Sequence, residues 1–311
     1  MISIAICTHN RSADVASCLS ALAPQLTLRS EELILVDSCS DGQHAAALQS
    51  LSAKYGTAVF RLNVPGLSLA RNEALRVARG QWVAFLDDDT VPAPTWLLSL
   101  QRVVTRAASD VAGIGGQTEP LWPTGTLPQY ISKHWLFFLS CIQDQARRSV
   151  RDGGKVCGAN LAFRKESLLA LGGFRAELGR IGDRLIGGEE SLAIRLLLRT
   201  GQEVVYDPSI VVKHRIHSER LNLSWISKRA YWEGVTEVAM IKATDEPFPF
   251  HLAVPKLLAS ATACRVLFAM TGNPDFLIRS QIAAGAFTAR FRSFETPPAI
   301  EQSAFRTAHR A

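Results

Sequence analysis

The apolar run from Trp82 to Leu86 ends in three consecutive carboxylates, Asp87, Asp88 and Asp89. Carboxylates this close repel one another, so such a cluster needs a cation or a proton to relieve it. Hard divalent cations take oxygen ligands, and Mg²⁺ typically uses one or two carboxylates plus substrate phosphates. The D-x-D spacing therefore suits a metal-bound diphosphate; a solvated loop with Asp89 capping the next helix is the plain alternative. A second acidic pair, Glu189 and Glu190, follows two glycines and precedes an apolar helical run. A carboxylate placed there can take a proton from an attacking hydroxyl, a step typically worth about 10²–10⁴ in rate. The pair would also suit a helix N-terminus through the dipole alone. His214 closes the run VVKH, where it is either a further metal or phosphate ligand or a structural histidine, and His217 is the weaker candidate of the two.

These groups need a frame. Over the first 120 residues strand-like and helix-like segments alternate. ISIAICT (Ile2 to Thr8), EELILVD ending at Asp37, TAVFRLN, QWVAFLD and VAGIGGQT read as strands. SADVASCLSALAPQ, DGQHAAALQSLSAKYG (closed by Gly56), LSLARNEALRVARG (closed by Gly80) and APTWLLSLQRVVTRA read as helices. Strands separated by helices indicate βαβ units on a parallel sheet. Their continuous apolar character suits a sheet covered on both faces. In such a sheet ligands bind beyond the carboxyl ends of the strands. Asn10, Asp37 and Asp87–Asp89 all follow strand ends, so three strands are expected to deliver polar groups to one edge. After Thr118 the alternation stops. EPLWPTGTLPQY reads as a loop, ISKHWLFFLSCIQ as a helix and KVCGANLAFRK as a strand. A glycine-rich stretch over 171–190 follows, then the helix ESLAIRLLLRTG and the strand–turn–strand QEVVYDPSIVVKH. From about residue 218 the chain reads as helical and basic.

Six segments, ISIAICTHNR, ELILVDSCSDG, GLSLARNEAL, GQWVAFLDDDTVP, CGANLAFRKESLLALGGF and GGEESLAIRLLLRTGQEVVYDPSIVVKH, resemble family 2 glycosyltransferases in order and approximate spacing, over residues 1 to about 215. The resemblance implies the GT-A fold, an α/β Rossmann-like, mostly parallel sheet flanked by helices, here with a C-terminal helical extension. It implies a catalytic unit over 1–217 and an extension over 218–311. It also implies an inverting, metal-dependent transfer of sugar from a nucleotide-sugar, by expectation UDP-linked, to a glycan or lipid-linked hydroxyl. On the matching positions, Thr8, Asn10, Asp37 and Arg71 are the expected nucleotide contacts. Asp87 or Asp88 is expected to meet the ribose or donor sugar, and Asp89, with Asp87, to hold Mn²⁺ or Mg²⁺, His214 being the further ligand candidate that its own strand end offers. Glu190 is the expected base and Glu189 its partner. Each has a plainer reading: Asn10 as a turn residue, Asp37 as a loop or cap residue, Arg71 as a surface cation. Two departures stand out. DSCSD is one residue shorter than the family's usual D-N-G-S-T-D, with Cys39 near the usual glycine. Leu192 stands where the family often has an acid.

Length and composition are compatible with this reading. The 311 residues are 47% hydrophobic and 20% charged, enough for a sizeable core and against global disorder. The N-terminal apolar run is too short for a signal h-region and lacks a basic flank. Six scattered cysteines without a C-x-x-C pair suggest neither a disulfide framework nor a zinc cluster, and point to a reducing, cytoplasmic setting. The net charge of +6 is concentrated late, with 13 Lys/Arg against 8 Asp/Glu after residue 212. That excess could meet an anionic inner-membrane surface or form an ordinary solvated face. Helix candidate 251–272 contains Lys256, Arg265 and a proline, against a transmembrane span. Nucleic-acid binding would rest on the basic tail alone and is not expected. A sugar-nucleotide nucleotidyltransferase or a dinucleotide dehydrogenase would need a glycine-rich loop after the first strand, which CTHNRSADV lacks. A catalytically inactive nucleotide-sugar-binding homologue is the remaining alternative. Trp122 and Trp135 are candidates for stacking an acceptor sugar, with core packing the plainer role.

Overall fold

In the computed structural model residues 1–294 are described, except 28–30, 124–125, 129–130, 152–154, 183 and 245. The strands are β1 (Ile2–Thr8), β2 (Glu31–Asp37), β3 (Ala58–Arg61), β4 (Trp82–Asp87), β5 (Thr90–Pro92), β6 (Val111–Leu121), β7 (Arg148–Ser149), β8 (Asn160–Arg164) and β9 (Glu203–Arg215). The helices are α1 (Ser12–Leu22), α2 (Gly42–Tyr55), α3 (Leu67–Val77), α4 (Trp96–Thr105), α5 (Lys165–Ala170), α6 (Glu189–Arg199), α7 (Leu223–Lys242), α8 (Val254–Thr271) and α9 (Pro274–Arg290). They surround one sheet of order β3-β2-β1-β4-β8-β6-β9-β5, with β7 on β9. The β3-β2-β1-β4 half is parallel; β8 runs antiparallel to both β4 and β6.

The apolar runs of β1 and β4 are continuous because both faces are covered. Ile2, Ile4, Ile6, Trp82, Ala84 and Leu86 enter the core under α1 and α4. Ala5, Cys7, Val83 and Phe85 enter the opposite core under α3 and α6. All six cysteines are free, and burial pushes the Cys7, Cys18 and Cys141 thiols up to about 12.

Several local expectations are corrected. Gly80 does not close α3, which ends at Val77; it lies against β1, where a Cβ would stand 2.6 Å from the Ser3 backbone nitrogen. The aromatic run 133–139 forms a 3₁₀ turn rather than an α-helix, ended by Ser140 at φ 55°. The stretch after Thr118 stays in β6 as far as Leu121. QEVVYDPSIVVKH is one strand, with a register shift opposite Gly116 and Gln117, rather than two strands around a turn. Asp89 caps nothing, because α4 starts at Trp96 with Thr95 before it. Cys39 adopts φ 62°, the left-handed conformation that favours glycine and so explains the residue usual near that position in the resembling family.

The C-terminal helices form a core of their own against α6 and the coil before it. Leu178, Ile186 and Leu192 pack with Val235, Val238 and Ala239 of α7 and with Ala283 and Ala286 of α9. Leu192 is therefore a core contact between α6 and α7, which accounts for an apolar residue where an acid is usual.

Candidate functional site

The carboxyl ends of three parallel strands lie side by side, because β1 is the common neighbour. Cys7 pairs with Asp87 and Thr8 with Asp37. A fourth strand reaches the same edge through a device not visible as an apolar run. Three-residue β5 pairs antiparallel with β9, Thr90 opposite His214, and the Arg215 amide donates to the Asp89 carbonyl at 2.8 Å. His214 is thereby set beside Asp89. The floor so formed opens into a cavity of about 370 Å³, within the range of small-molecule sites. Thr8, Arg71, Asp87, Asp88, Asp89, Glu189, Glu190 and His214 all line it.

Guanidinium groups share the relief of carboxylate repulsion. Arg11 lies 3.3 Å from Asp88 and 3.1 Å from Asp89. Arg71 reaches Asp87 at 3.1 Å, and Arg220 reaches Asp89 at 3.1 Å. The three aspartates differ accordingly. Burial disfavours the Asp89 anion, but His214, Arg220 and Arg11 outweigh it and hold the group well below the usual carboxylate range. Asp88 is pushed up to about 7 by burial and by Asp89, against the pull of Arg11 and a 2.6 Å bond donated by the Thr8 hydroxyl. Asp87 keeps the most exposed side chain of the three acids in these pairs, at 30%.

Arg71 links the aspartates to the glutamates. It is 3% exposed, and its Nη1 donates to Glu189 Oε1 at 2.6 Å. Its Nη2 donates to Asp87 Oδ1 at 3.1 Å and to the Gly158 carbonyl at 3.2 Å. A Cβ on Gly158 would stand 2.6 Å from Nη2, so glycine makes room for the guanidinium. Burial opposes the Arg71 charge, but Glu189, Asp87 and Glu190 more than compensate and raise its pKa. Burial and the adjacent Glu190 push Glu189 up to about 8. Glu190 is more open, with its side chain 20% exposed; its Oε2 has no hydrogen-bond partner and lies 3.9 Å from Arg71. Both glutamates occupy the first turn of α6, where the helix dipole favours anions.

A divalent cation fits one part of this floor. Asp89 Oδ1 and His214 Nε2 lie 3.0 Å apart, both almost fully buried. The other ring nitrogen, Nδ1, is buried without a hydrogen-bond partner. Asp89 Oδ1 accepts from Nε2 here, and a cation between the two would take the place of that proton, which the unpartnered Nδ1 can carry instead. No group of three or more His, Cys, Asp or Glu arranged around a metal position occurs among the described residues. The fit is that of two protein ligands completed by substrate phosphate. Asp87, expected as a further ligand, has its carboxylate engaged by Arg71.

Asn10 and Asp37 are not in the cavity lining. Asn10 is exposed at φ 56°, and its Oδ1 accepts from the Asp41 amide at 2.8 Å. Asp37 is buried and bound by Arg61 at 2.6 Å and by the Ser40 amide at 2.8 Å. Trp135 stacks on Phe138, and its Nε1 donates to Asp275, while Trp122 packs against the same cluster; both serve the core. Sequence reasoning did not assign Arg11, Arg180, Arg220 or Arg229 to the cavity, and all four line it. Arg11 lies one residue beyond Asn10 and could have been found from that motif. The other three come from unrelated segments and share no spacing.

Comparison with known proteins agrees with this geometry. The chain is 26% identical to a glucosyl-dolichyl phosphate glucuronosyltransferase of Haloferax volcanii over 176 residues, 56% of each chain. It is 25% identical to the succinoglycan biosynthesis protein ExoM of Rhizobium meliloti over 296 residues, 92% of each. Among solved structures, a mannosyltransferase of Pyrobaculum calidifontis in complex with GDP-Man and Mn²⁺ superposes with a TM-score of 0.62 at 17% identity, covering 93% of this chain and 87% of that one. The glycosyl transferase family 2 profile matches residues 3–169, more than half of the chain. With strand ends, acidic floor and relatives all in agreement, the chain belongs to glycosyl transferase family 2 and is a glycosyltransferase.

Proposed function

We propose that the chain moves a sugar, with inversion and with the help of a divalent cation, from a UDP-linked donor to a hydroxyl of a lipid-linked or glycan acceptor. The observation that carries the reading is the cavity in which Asp87–Asp89, His214 and the Glu189–Glu190 pair meet. Asp89 and His214 would hold Mn²⁺ or Mg²⁺. A cation held there would supply Lewis-acid charge to offset that developing on the leaving diphosphate. Glu190 accepts the proton of the acceptor hydroxyl as that oxygen attacks the anomeric carbon. The C–O bond to the diphosphate breaks on the opposite face, and the configuration inverts. Glu189 and Arg71 position Glu190 relative to Asp87, which meets the ribose or donor sugar. Thr8 and Asp88 complete the donor side. Asn10 and Asp37 shape the neighbouring edge through the loop at residues 38–41, where Asn10 bonds Ser40 and Asp41. The sheet domain over 1–217 carries this chemistry, and the segment from 218 supplies Arg220, Arg229 and Glu233 to the cavity wall.

A peripheral position on an anionic lipid surface fits the same reading. The Haloferax relative's name places its acceptor on dolichyl phosphate. In this chain α8 is long and apolar enough to cross a membrane by length and composition, yet only Leu257 of its residues is buried. Lys256 and Arg265 suit a helix lying at the lipid surface better than one crossing it. The six free cysteines suit a reducing, cytoplasmic side.

The test is a panel of nucleotide-sugars with Mn²⁺ or Mg²⁺, read by donor hydrolysis and by thermal stabilisation of the protein. A UDP-sugar hydrolysed only with metal is the expected result. Hydrolysis unchanged by chelation or by His214→Ala would remove the metal, and retention of anomeric configuration in the product would remove the single displacement.

A further inference from the structure

His214 meets Asp89 although plain alternation along its strand would turn it to the other face. Successive side chains of a strand point to opposite faces, so residues an even number apart share one. In β9, Val204 enters the core under α3 and α6. Ile210 and Val212 are even-numbered like Val204, yet they enter the core under α1 and α4. The strand therefore changes face between Val204 and Ile210, and His214 keeps the parity of Val212. The pairing with β6 shows where the change occurs. Gly116 stands opposite Asp207, and the next residue, Gln117, stands opposite Val211. Residues 208–210 have no register partner on β6. An odd number of extra residues reverses every side chain beyond it. Bulges next to active sites re-aim side chains in this way.

Asn160 spans the break. It is buried in β8, which lies between β4 and β6. Its Nδ2 donates to the Gln117 carbonyl on β6 at 3.0 Å and to the Ile210 carbonyl on β9 at 2.8 Å. Its Oδ1 accepts from the Trp96 indole at 2.9 Å. An indole N–H can only donate, so this contact orients the amide and leaves both of its N–H groups for the two carbonyls. Gly116 makes room for the clamp: a Cβ there would stand 2.1 Å from the Ile210 carbonyl oxygen and 2.3 Å from Nδ2. Asp207 closes the bulge, its carboxylate accepting from the Ser209 amide at 3.0 Å and hydroxyl at 2.6 Å. Beyond it, Val211 to Arg215 run in step with β6, and His214 comes opposite Thr90 and 3.0 Å from Asp89.

We propose that Asn160 is a positioning residue for the Asp89–His214 pair, because its amide fixes the bulge that turns His214 toward Asp89. The inference rests on the proposed cation site only for what the pair would hold.

The experiment reads the pair directly, in the full chain without metal or nucleotide. The proton on His214 Nε2, buried against Asp89, should give a slowly exchanging imidazole resonance by NMR, assigned by its loss in His214→Gln. Asn160→Ala should remove or shift that resonance while the amide spectrum stays that of a folded protein. Mn²⁺ binding, titrated without nucleotide, should weaken about 10–100-fold, as for a residue that orients a metal ligand. Asn160→Ser, whose hydroxyl can donate to only one of the two carbonyls, should fall between, and it decides the matter if the alanine variant does not fold. Gly116→Ala, whose methyl presses on the same clamp from β6, should repeat the loss. Phe163→Leu, on the same strand but in the core under α3 and α6, should lower Tm and leave both readouts unchanged. A native resonance retained in the Asn160 variants and in Gly116→Ala would overturn the proposal. So would the absence of that resonance from the native protein, or an equal loss in Phe163→Leu, which would reduce Asn160 to fold stability. If the native chain binds no Mn²⁺ while the resonance follows Asn160 as stated, the cation reading fails and the positioning role stands.

Discussion

Arg71 holds Asp87 and Glu189 at once, so the donor-side and base-side carboxylates share a single cation. The more open Glu190 is left as the acid best placed to accept a proton. Glu190→Gln should lower kcat by about 10²–10⁴ with little change in donor affinity. Glu189→Ala should instead lower stability, because it removes the closest acceptor of a buried guanidinium. If Glu189→Gln abolished transfer with the fold intact while Glu190→Gln did not, the base would move by one residue. Asp88 gives a second test through pH. Its carboxyl is pushed up to about 7 from 3.8 for the free group, so the native state holds the proton more tightly. The stability it contributes is full below about pH 4 and is lost as pH rises through about 7. Asp88→Asn keeps an acceptor for Thr8 and removes the buried charge. Its Tm, measured without metal, should match wild type near pH 4 and exceed it by roughly 2–4 °C at pH 8.5. Parallel Tm curves across that range would show that Asp88 stays ionised throughout.

β1, β2 and β4 could be read residue by residue from the sequence, because each is a continuous apolar run ended by a polar group. The acidic floor followed, since those ends are where the polar groups stand. β5 was not legible: Thr90–Pro92 has no apolar pattern and exists through its pairing with β9. His214 could be proposed as a ligand from its strand end, but its contact with Asp89 depends on that pairing. The arginines of the cavity were equally hidden, since an isolated arginine reads as a surface cation until folding places it. Asp37 shows the reverse: it stands at the expected edge, but Arg61 of β3 takes its carboxylate. The α7–α9 contact was also invisible, because it depends on two glycines 51 positions apart. A Cβ on Gly234 would stand 1.9 Å from the Ile282 carbonyl oxygen, and one on Gly285 1.9 Å from that of Tyr231. Gly285→Ala must therefore push α7 and α9 apart, at about 1–3 kcal/mol and a few degrees of Tm. Because α7 carries Arg229 and Glu233 into the cavity, transfer to acceptor should fall more than donor hydrolysis. Equal loss of both activities would mean that α7 serves only the fold.

At the scale of the whole molecule, the sheet and α7 bury their apolar surface, and α8 does not. Its 18 residues span about 27 Å, with Leu258, Val266 and Met270 exposed and Phe250 exposed just before it. A helix apolar on most sides is ordinarily buried in protein or lipid. α8 packs on α9 along one side, through Leu257 and Ala261, and the described residues leave the rest uncovered. The charge of the segment selects the occupant. No acidic residue occurs between Glu246 and Asp275, while Lys256 and Arg265 lie within the helix, and Lys256 sits 3.6 Å from the Phe250 ring centroid. Apolar side chains with only basic charges among them match an anionic lipid surface. The full chain should therefore sediment with phosphatidylglycerol-rich vesicles and not with phosphatidylcholine vesicles, and salt should weaken the association. Val266→Ser with Met270→Ser should reduce binding at any salt. Lys256→Glu with Arg265→Glu should remove the preference for anionic lipid, and neither pair should alter hydrolysis of a soluble donor. A chain that ignores both vesicle types, yet changes from dimer to monomer in the serine variant, would instead have α8 covered by a second copy of itself.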